Sequence, residues 1–156
     1  MPDLPQIVQT ERLLDLHADL EPAQILGATP VGTRSIHIIS AGTFDGPKLR
    51  GSVRSGGGDW FVLLANGAGE LDVRMTLETD DGALIYLRYT GVLDLDSAVA
   101  ARVFGGEDVS PSEYYFRTQP RFETGNEKYA WLNKIVCIGS GYVAAGRVGY
   151  RIFAVK

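Results

Sequence analysis

Six polar residues at alternate positions of two neighbouring segments could do chemistry together: Asp72, Arg74, Thr76 and Glu78, then Tyr86 and Arg88. A carboxylate within reach of a substrate proton can move it, a phenol can assist, and planar guanidinium groups can hold a carboxylate or phenolate at two points. On that chemistry Glu78 or Asp72 is the candidate acid or base, helped by Tyr86. Arg74, Arg88 and Arg117 are the candidate anion holders. Trp60 and Tyr115 are candidate aromatic walls of a pocket, and Trp131 and Asn133 are further candidate ligand contacts.

Each candidate also has a plainer reading. The polar face of the two segments can equally be the solvated outside of a barrel filled by leucine, valine and methionine. Two features favour an enclosed polar cavity: the chain has only four lysines, none on this face, and the face carries a tyrosine and two arginines. Trp60 can be a buried indole at a strand start. Whether Tyr115 and Arg117 or Tyr114 and Phe116 point inward is open in the sequence.

Other chemistries find little support. His17 and His37 are the only histidines and Cys137 the only cysteine, too few for a zinc cluster, so no metal site and no cofactor are expected. Cys137 reads as a small buried strand residue without a disulfide partner. Gly56-Gly57-Gly58 lacks the lysine and helix of a phosphate loop and reads as a turn. The net charge of −4, without a basic run, argues against nucleic acid. No stretch reaches transmembrane length, and Met1-Pro2-Asp3-Leu4-Pro5 lacks the regions of a signal peptide, so the expected location is the cytoplasm and no membrane partner is expected.

The elements that must carry these residues are mostly strands. Leu71, Val73, Met75 and Leu77 alternate with the polar set, the period of two that a half-buried strand needs. A three-residue loop, Asp80-Asp81-Gly82, with glycine in the left-handed position, joins this strand to the next. That loop pairs Met75 with Leu87, Leu77 with Ile85, Thr76 with Tyr86, Arg74 with Arg88, Asp72 with Thr90 and Glu78 with Leu84. Facing arginines destabilise a ladder, so they should have company from Asp72, from Glu78 or from a bound anion.

Further strands are expected over 12–20, 31–44, 49–53, 59–64, 114–118, 121–124 and 129–138, the last with Trp131, Asn133, Ile135 and Cys137 on one side, and one or two more over 142–155. Residues 1–10 read as a leader packing through Leu4 and Ile7. Asn66-Gly67 marks a hairpin turn. Asp96 to Gly105 reads as one short helix, capped by Asp96 and ended by Gly105. With 45% hydrophobic and 22% charged residues, the 156-residue chain fits one globular domain, residues 1–156. About eight to ten short strands and one helix make it all-β: a single antiparallel β-barrel, lipocalin-like or similar, or a sandwich.

Several segments together resemble one family: Gly42-Thr43-Phe44-Asp45-Gly46-Pro47, Gly57-Gly58-Asp59-Trp60, Thr76 to Tyr86, Glu113-Tyr114-Tyr115-Phe116-Arg117-Thr118, Pro120 to Thr124 and Tyr129-Ala130-Trp131-Leu132-Asn133. In this order they are similar to the domain of unknown function 3237 family of bacteria and fungi. Ser40-Ala41-Gly42 departs from the paired glycines usual there. The resemblance implies a small antiparallel barrel forming a homo-oligomer such as a homodimer, and it transfers no catalytic residues. Some fungal relatives are thought to close oxygen-containing rings on small aromatic metabolites. The expected function is therefore small-molecule binding, with lyase, isomerase or cyclase chemistry on a small aromatic or carboxylate metabolite. The alternative is a non-catalytic ligand-binding or structural homo-oligomeric module.

Overall fold

The computed structural model describes residues 7–156, and the hairpin at its centre has the expected register. Strands β7 (Gly69–Thr79) and β8 (Leu84–Asp94) pair Met75 with Leu87, Leu77 with Ile85 and Arg74 with Arg88. The loop between them is Asp80-Asp81-Gly82: the Thr79 amide donates to the Ala83 carbonyl at 3.0 Å, and Gly82 has φ +82°. The buried Thr79 hydroxyl accepts from the Ala83 amide (2.9 Å) and donates to Asp81 Oδ1. Asp81 also binds Lys128 Nζ and the Tyr129 hydroxyl, and these partners hold its carboxyl far below the usual range. The turn is thus tied to residues 47 and 48 positions further along the chain.

The other strands are β1 (Thr10–Leu20), β2 (Gln24–Thr29), β3 (Gly32–Asp45), β4 (Arg50–Val53), β5 (Gly58–Asp59), β6 (Val62–Leu63), β9 (Tyr115–Glu123), β10 (Cys137–Ala144) and β11 (Arg147–Val155). All pair antiparallel, in the ring β1-β11-β10-β9-β8-β7-β4-β3, and β3 returns to β1 to close an eight-stranded barrel. Closure leaves no open edge in the ring. The 14-residue β3 does two jobs: its C-terminal half belongs to the ring, while its N-terminal half pairs with β2 on one side and with β5 and β6 on the other.

The alternation settles what lies inside. Leu77, Ile85 and Leu87 are fully buried, with Leu16, Phe116 and Ile152 from the other walls. Asp72, Arg74 and Arg88 point outward, so the enclosed polar interior expected for this face is overturned: the leucines and valines take the barrel, and the charged heads take water. In β9 the same rule puts Phe116 inside and Tyr115 and Arg117 outside.

Helix α1 (Ser97–Phe104) forms where expected, with Asp96 Oδ1 accepting from the Val99 amide at 2.8 Å and Gly105 past its end. Its Val99 and Val103 pack with Val109 against Leu95, Tyr114 and Val143. Other expectations need correction. Residues 129–138 are not one strand: Glu127–Lys134 forms a 3-10 helix, begun by Asn126 accepting from the Lys128 amide at 3.0 Å. The 59–64 strand is split into β5 and β6, and at the break the Trp60 carbonyl accepts from the Arg34 guanidinium (2.6 Å). Pro120 does not interrupt β9. It is buried within β9, paired opposite Tyr89 of β8 and just past the two residue pairs that join β9 to β10. Ile7 is exposed rather than packed, and Leu4 lies outside the described residues.

The alternation can be tested on one strand. Leu87→Ala should cost about 2–5 kcal/mol in chemical denaturation by leaving a cavity in the core, while Thr90→Ala, on the outer face, should stay within about 0.5 kcal/mol. Equal costs would contradict the inward placement of Leu87.

Candidate functional site

One end of the barrel is not filled. A cavity of about 410 Å³ opens where Leu20 ends β1, Pro22 and Ala23 lead into β2, the β10–β11 turn passes at Ala144 and Gly146, and Phe104 ends α1. Its walls are apolar, with Ile39, Phe61, Leu71, Val73 and Phe116 among them. Four side chains within the barrel bring polar chemistry into this space, Asp59, His37, Tyr89 and Tyr150, and the exposed Glu21 adds a second carboxylate to the lining. None of the lining residues is a lysine or arginine.

These four come from four strands. Asp59 and His37 are direct cross-strand partners on β5 and β3, which places their Cβ atoms about 5 Å apart. Asp59 Oδ1 accepts from the Asp72 amide (3.0 Å), and no described residue hydrogen-bonds Oδ2. Burial among apolar walls raises the Asp59 carboxyl to about 7, only partly opposed by that amide and by Arg34. Burial lowers His37 and keeps it neutral, with Nε2 2.9 Å from Ser35 Oγ and its ring edge-on to Phe61. The Tyr89 and Tyr150 rings meet edge to face at 5.0 Å. Burial raises both phenols, and the nearby Asp59 charge adds to it. The site therefore pairs one carboxyl that titrates near neutrality with two phenols that stay protonated.

The residues named from sequence lie elsewhere. Glu78 is on the outer wall in an ion pair with Arg54 (2.9 Å), and Asp72 pairs there with Arg74 (3.2 Å). Tyr86 faces out opposite Thr76 and Glu123. Trp60 is a partly exposed platform under the Arg74 guanidinium (5.5 Å), neither a buried indole nor a wall of the cavity. Arg117 lies over the Tyr115 ring at 5.1 Å, again outside. Trp131 sits beside Lys48 in a small hollow with Glu11 and Pro47, apart from the cavity. Asn133 closes a backbone clasp, accepting from the Thr124 amide and donating to its carbonyl, both at 2.9 Å. Of the outer set only Asp72, Arg74 and Arg88 are gathered in one groove.

A second outer hollow, about 470 Å³, holds His17, but its ionisable groups are already engaged. Arg151 pairs with Asp15 and lowers it to about 2, and His17 Nδ1 lies 2.8 Å from the Tyr142 hydroxyl. Among the described residues no helix is long and apolar enough to cross a membrane.

Sequence reasoning passed over Asp59 as the start of a strand. The one available signal was an acid placed directly before the apolar run Trp60-Phe61-Val62-Leu63-Leu64. His37 gave no signal, because its partner is 22 positions away and only the fold joins them.

In architecture the chain is a closed antiparallel β-barrel with an apolar mouth and a few convergent polar groups. The chain belongs to the family described as protein of unknown function (DUF3237), whose model matches residues 8–155. It is 33% identical over 141 residues to the UPF0311 protein RPA1785 of Rhodopseudomonas palustris, covering 90% of this chain and 92% of that one. The crystal structure of RPA1785, a conserved protein of unknown function, superposes with a TM-score of 0.92 at 31% identity over 97% of this chain and 100% of that one. A β-barrel-like protein from Acinetobacter baumannii matches at 0.84 with 37% identity, over 98% and 99% of the two chains. A structure described as an enzyme from Penicillium herquei shares the fold at 0.73 with 20% identity, over the whole of both chains.

The raised Asp59 carboxyl carries a stability signature. It titrates near 3.8 in the unfolded chain and near 7 when folded, so between those values the folded protein keeps a proton that the unfolded chain releases. The stability this group confers is full below about pH 4 and is lost as pH rises toward 7. In calorimetry across pH 4–8, roughly the interval between those two values and just beyond, the Tm of Asp59→Asn should rise steadily relative to the parent protein. A Tm difference independent of pH would contradict the shift.

Proposed function

We propose that this protein binds a neutral, largely apolar small molecule in the barrel-mouth cavity and moves a proton on it, with Asp59 as the acid–base group. The observation that carries this reading is the convergence of Asp59, His37, Tyr89 and Tyr150 in an apolar space without a cationic side chain. A carboxylate ligand would enter that space with no counter-charge, at a high desolvation cost. A neutral phenol, enol or ketone would not.

The roles follow from the environments. Ionised Asp59 takes a proton from an acidic O–H or C–H through Oδ2, and a group titrating near neutrality can return it in the next step. Tyr89 and Tyr150, held neutral, donate hydrogen bonds to an oxygen on which charge develops. His37 stays neutral beside Asp59 and takes no charge of its own from the reaction. Such a site suits isomerisation, elimination or ring closure by proton transfer. The Penicillium herquei neighbour of the same fold is described as an enzyme; the reading for this chain rests on its own residues.

The test is deuterium uptake by a panel of neutral aryl ketones in D2O, followed by proton NMR, with binding checked in parallel by displacement of the neutral dye Nile red. The parent protein should bind the dye and exchange at least one ketone, and Asp59→Asn should keep binding but lose about 10²–10⁴-fold in exchange rate. Equal exchange in both proteins sinks the assignment of Asp59. Binding without exchange in either would make the protein a carrier.

A further inference from the structure

We propose a second site, on the outer wall, that binds a small doubly charged oxyanion of the phosphate type and shares only Tyr89 with the lining of the barrel-mouth cavity. Arg74 on β7 stands directly opposite Arg88 on β8, and Arg88 directly opposite Arg121 on β9, so three guanidinium groups share one row across three strands. The row spans about 10 Å at the ordinary spacing of strands. It lines a groove of about 220 Å³ together with Asp72, Thr90 and Gln119, the neighbouring row of the same three strands.

The charges in this groove do not balance. Asp72 is its only carboxylate and is engaged by Arg74 at 3.2 Å. Glu78, which could have joined it, is taken by Arg54, and Glu123, the next outward residue of β9, makes no ion pair with the row. Arg121 reaches only the Ile135 carbonyl, at a long 3.4 Å. Arg88, in the middle, has no hydrogen-bond or ion-pair partner among the described residues. Like charges directly across a ladder destabilise it, so an empty row is held against its own repulsion by the rest of the barrel.

An oxyanion with two negative charges removes that cost and can take two-point hydrogen bonds from planar guanidinium groups. The Thr90 hydroxyl and the Gln119 carboxamide supply neutral donors beside it. The groove's volume admits a phosphate or a small phosphate monoester and little more.

The experiment is isothermal titration of inorganic phosphate, and separately of glycerol phosphate, into the full chain at constant ionic strength, with a thermal melt in phosphate-free chloride. Three proteins are compared: the parent, Arg88→Gln, and Arg50→Gln, which removes the same charge from an exposed arginine outside the groove. The parent and Arg50→Gln should bind alike, whereas Arg88→Gln should bind at least tenfold more weakly. In chloride alone Arg88→Gln should melt no lower than the parent, because it relieves the row's repulsion. Binding of either ligand with this pattern supports the site, and which one binds tighter tells free phosphate from a monoester. No measurable binding of either, or equal weakening by Arg88→Gln and Arg50→Gln, overturns it.

Discussion

Everything in this molecule depends on the side-chain period of the β7–β8 hairpin, held in one register by the Asp80-Asp81-Gly82 loop. Because the period is two, a slip of β7 by one residue would carry Leu71, Val73, Met75 and Leu77 to the solvent and bring Asp72, Arg74, Thr76 and Glu78 into the barrel. Thr79, Asp81, Lys128 and Tyr129 pin the loop and so pin the register. Once this hairpin's apolar face is inward, the adjoining strands must present theirs to it, and the return of β3 to β1 seals the ring.

The open mouth of the barrel lies where β3 leaves the ring. β3 is long enough to leave the ring at its N-terminal half, where its partners are the two-residue strands β5 and β6 rather than one continuous strand. The chain breaks between them at Trp60, whose carbonyl is held by Arg34. Asp59, the last residue of β5 before the break, pairs opposite the inward Val73 and faces the cavity, where its Oδ1 accepts from the Asp72 amide. A polar group is thereby carried into a space that the alternation otherwise fills with leucine, valine and phenylalanine, and this is the circumstance that raises its carboxyl.

Local rules made much of the fold legible. Gly82 and the alternation define the register, Asp96 and Gly105 delimit α1, and turn residues separate the strands. The failures were of two kinds. At 129–138 an alternating look competed with a true cap, Asn126, and the helical turn prevailed because Tyr129 and Leu132 both bury on one side of it. At the site, the outer arginines drew attention because charge and spacing are visible in a sequence, whereas burial is not. Asp59 is ordinary by type. Its environment comes from strands that meet only in the closed barrel, through the pairing with His37 and the walls supplied by Tyr89 and Tyr150.

The account's central claim is that the barrel mouth holds a carboxyl whose ionisation is set by an apolar surround. The direct measurement is a titration of the Asp59 side-chain carboxyl carbon by carbon-13 NMR, with the resonance assigned by comparison with Asp59→Asn. A midpoint near 7 is the predicted result. A midpoint close to 3.8, the value of an unperturbed aspartate, would contradict it and leave the cavity without its acid–base group.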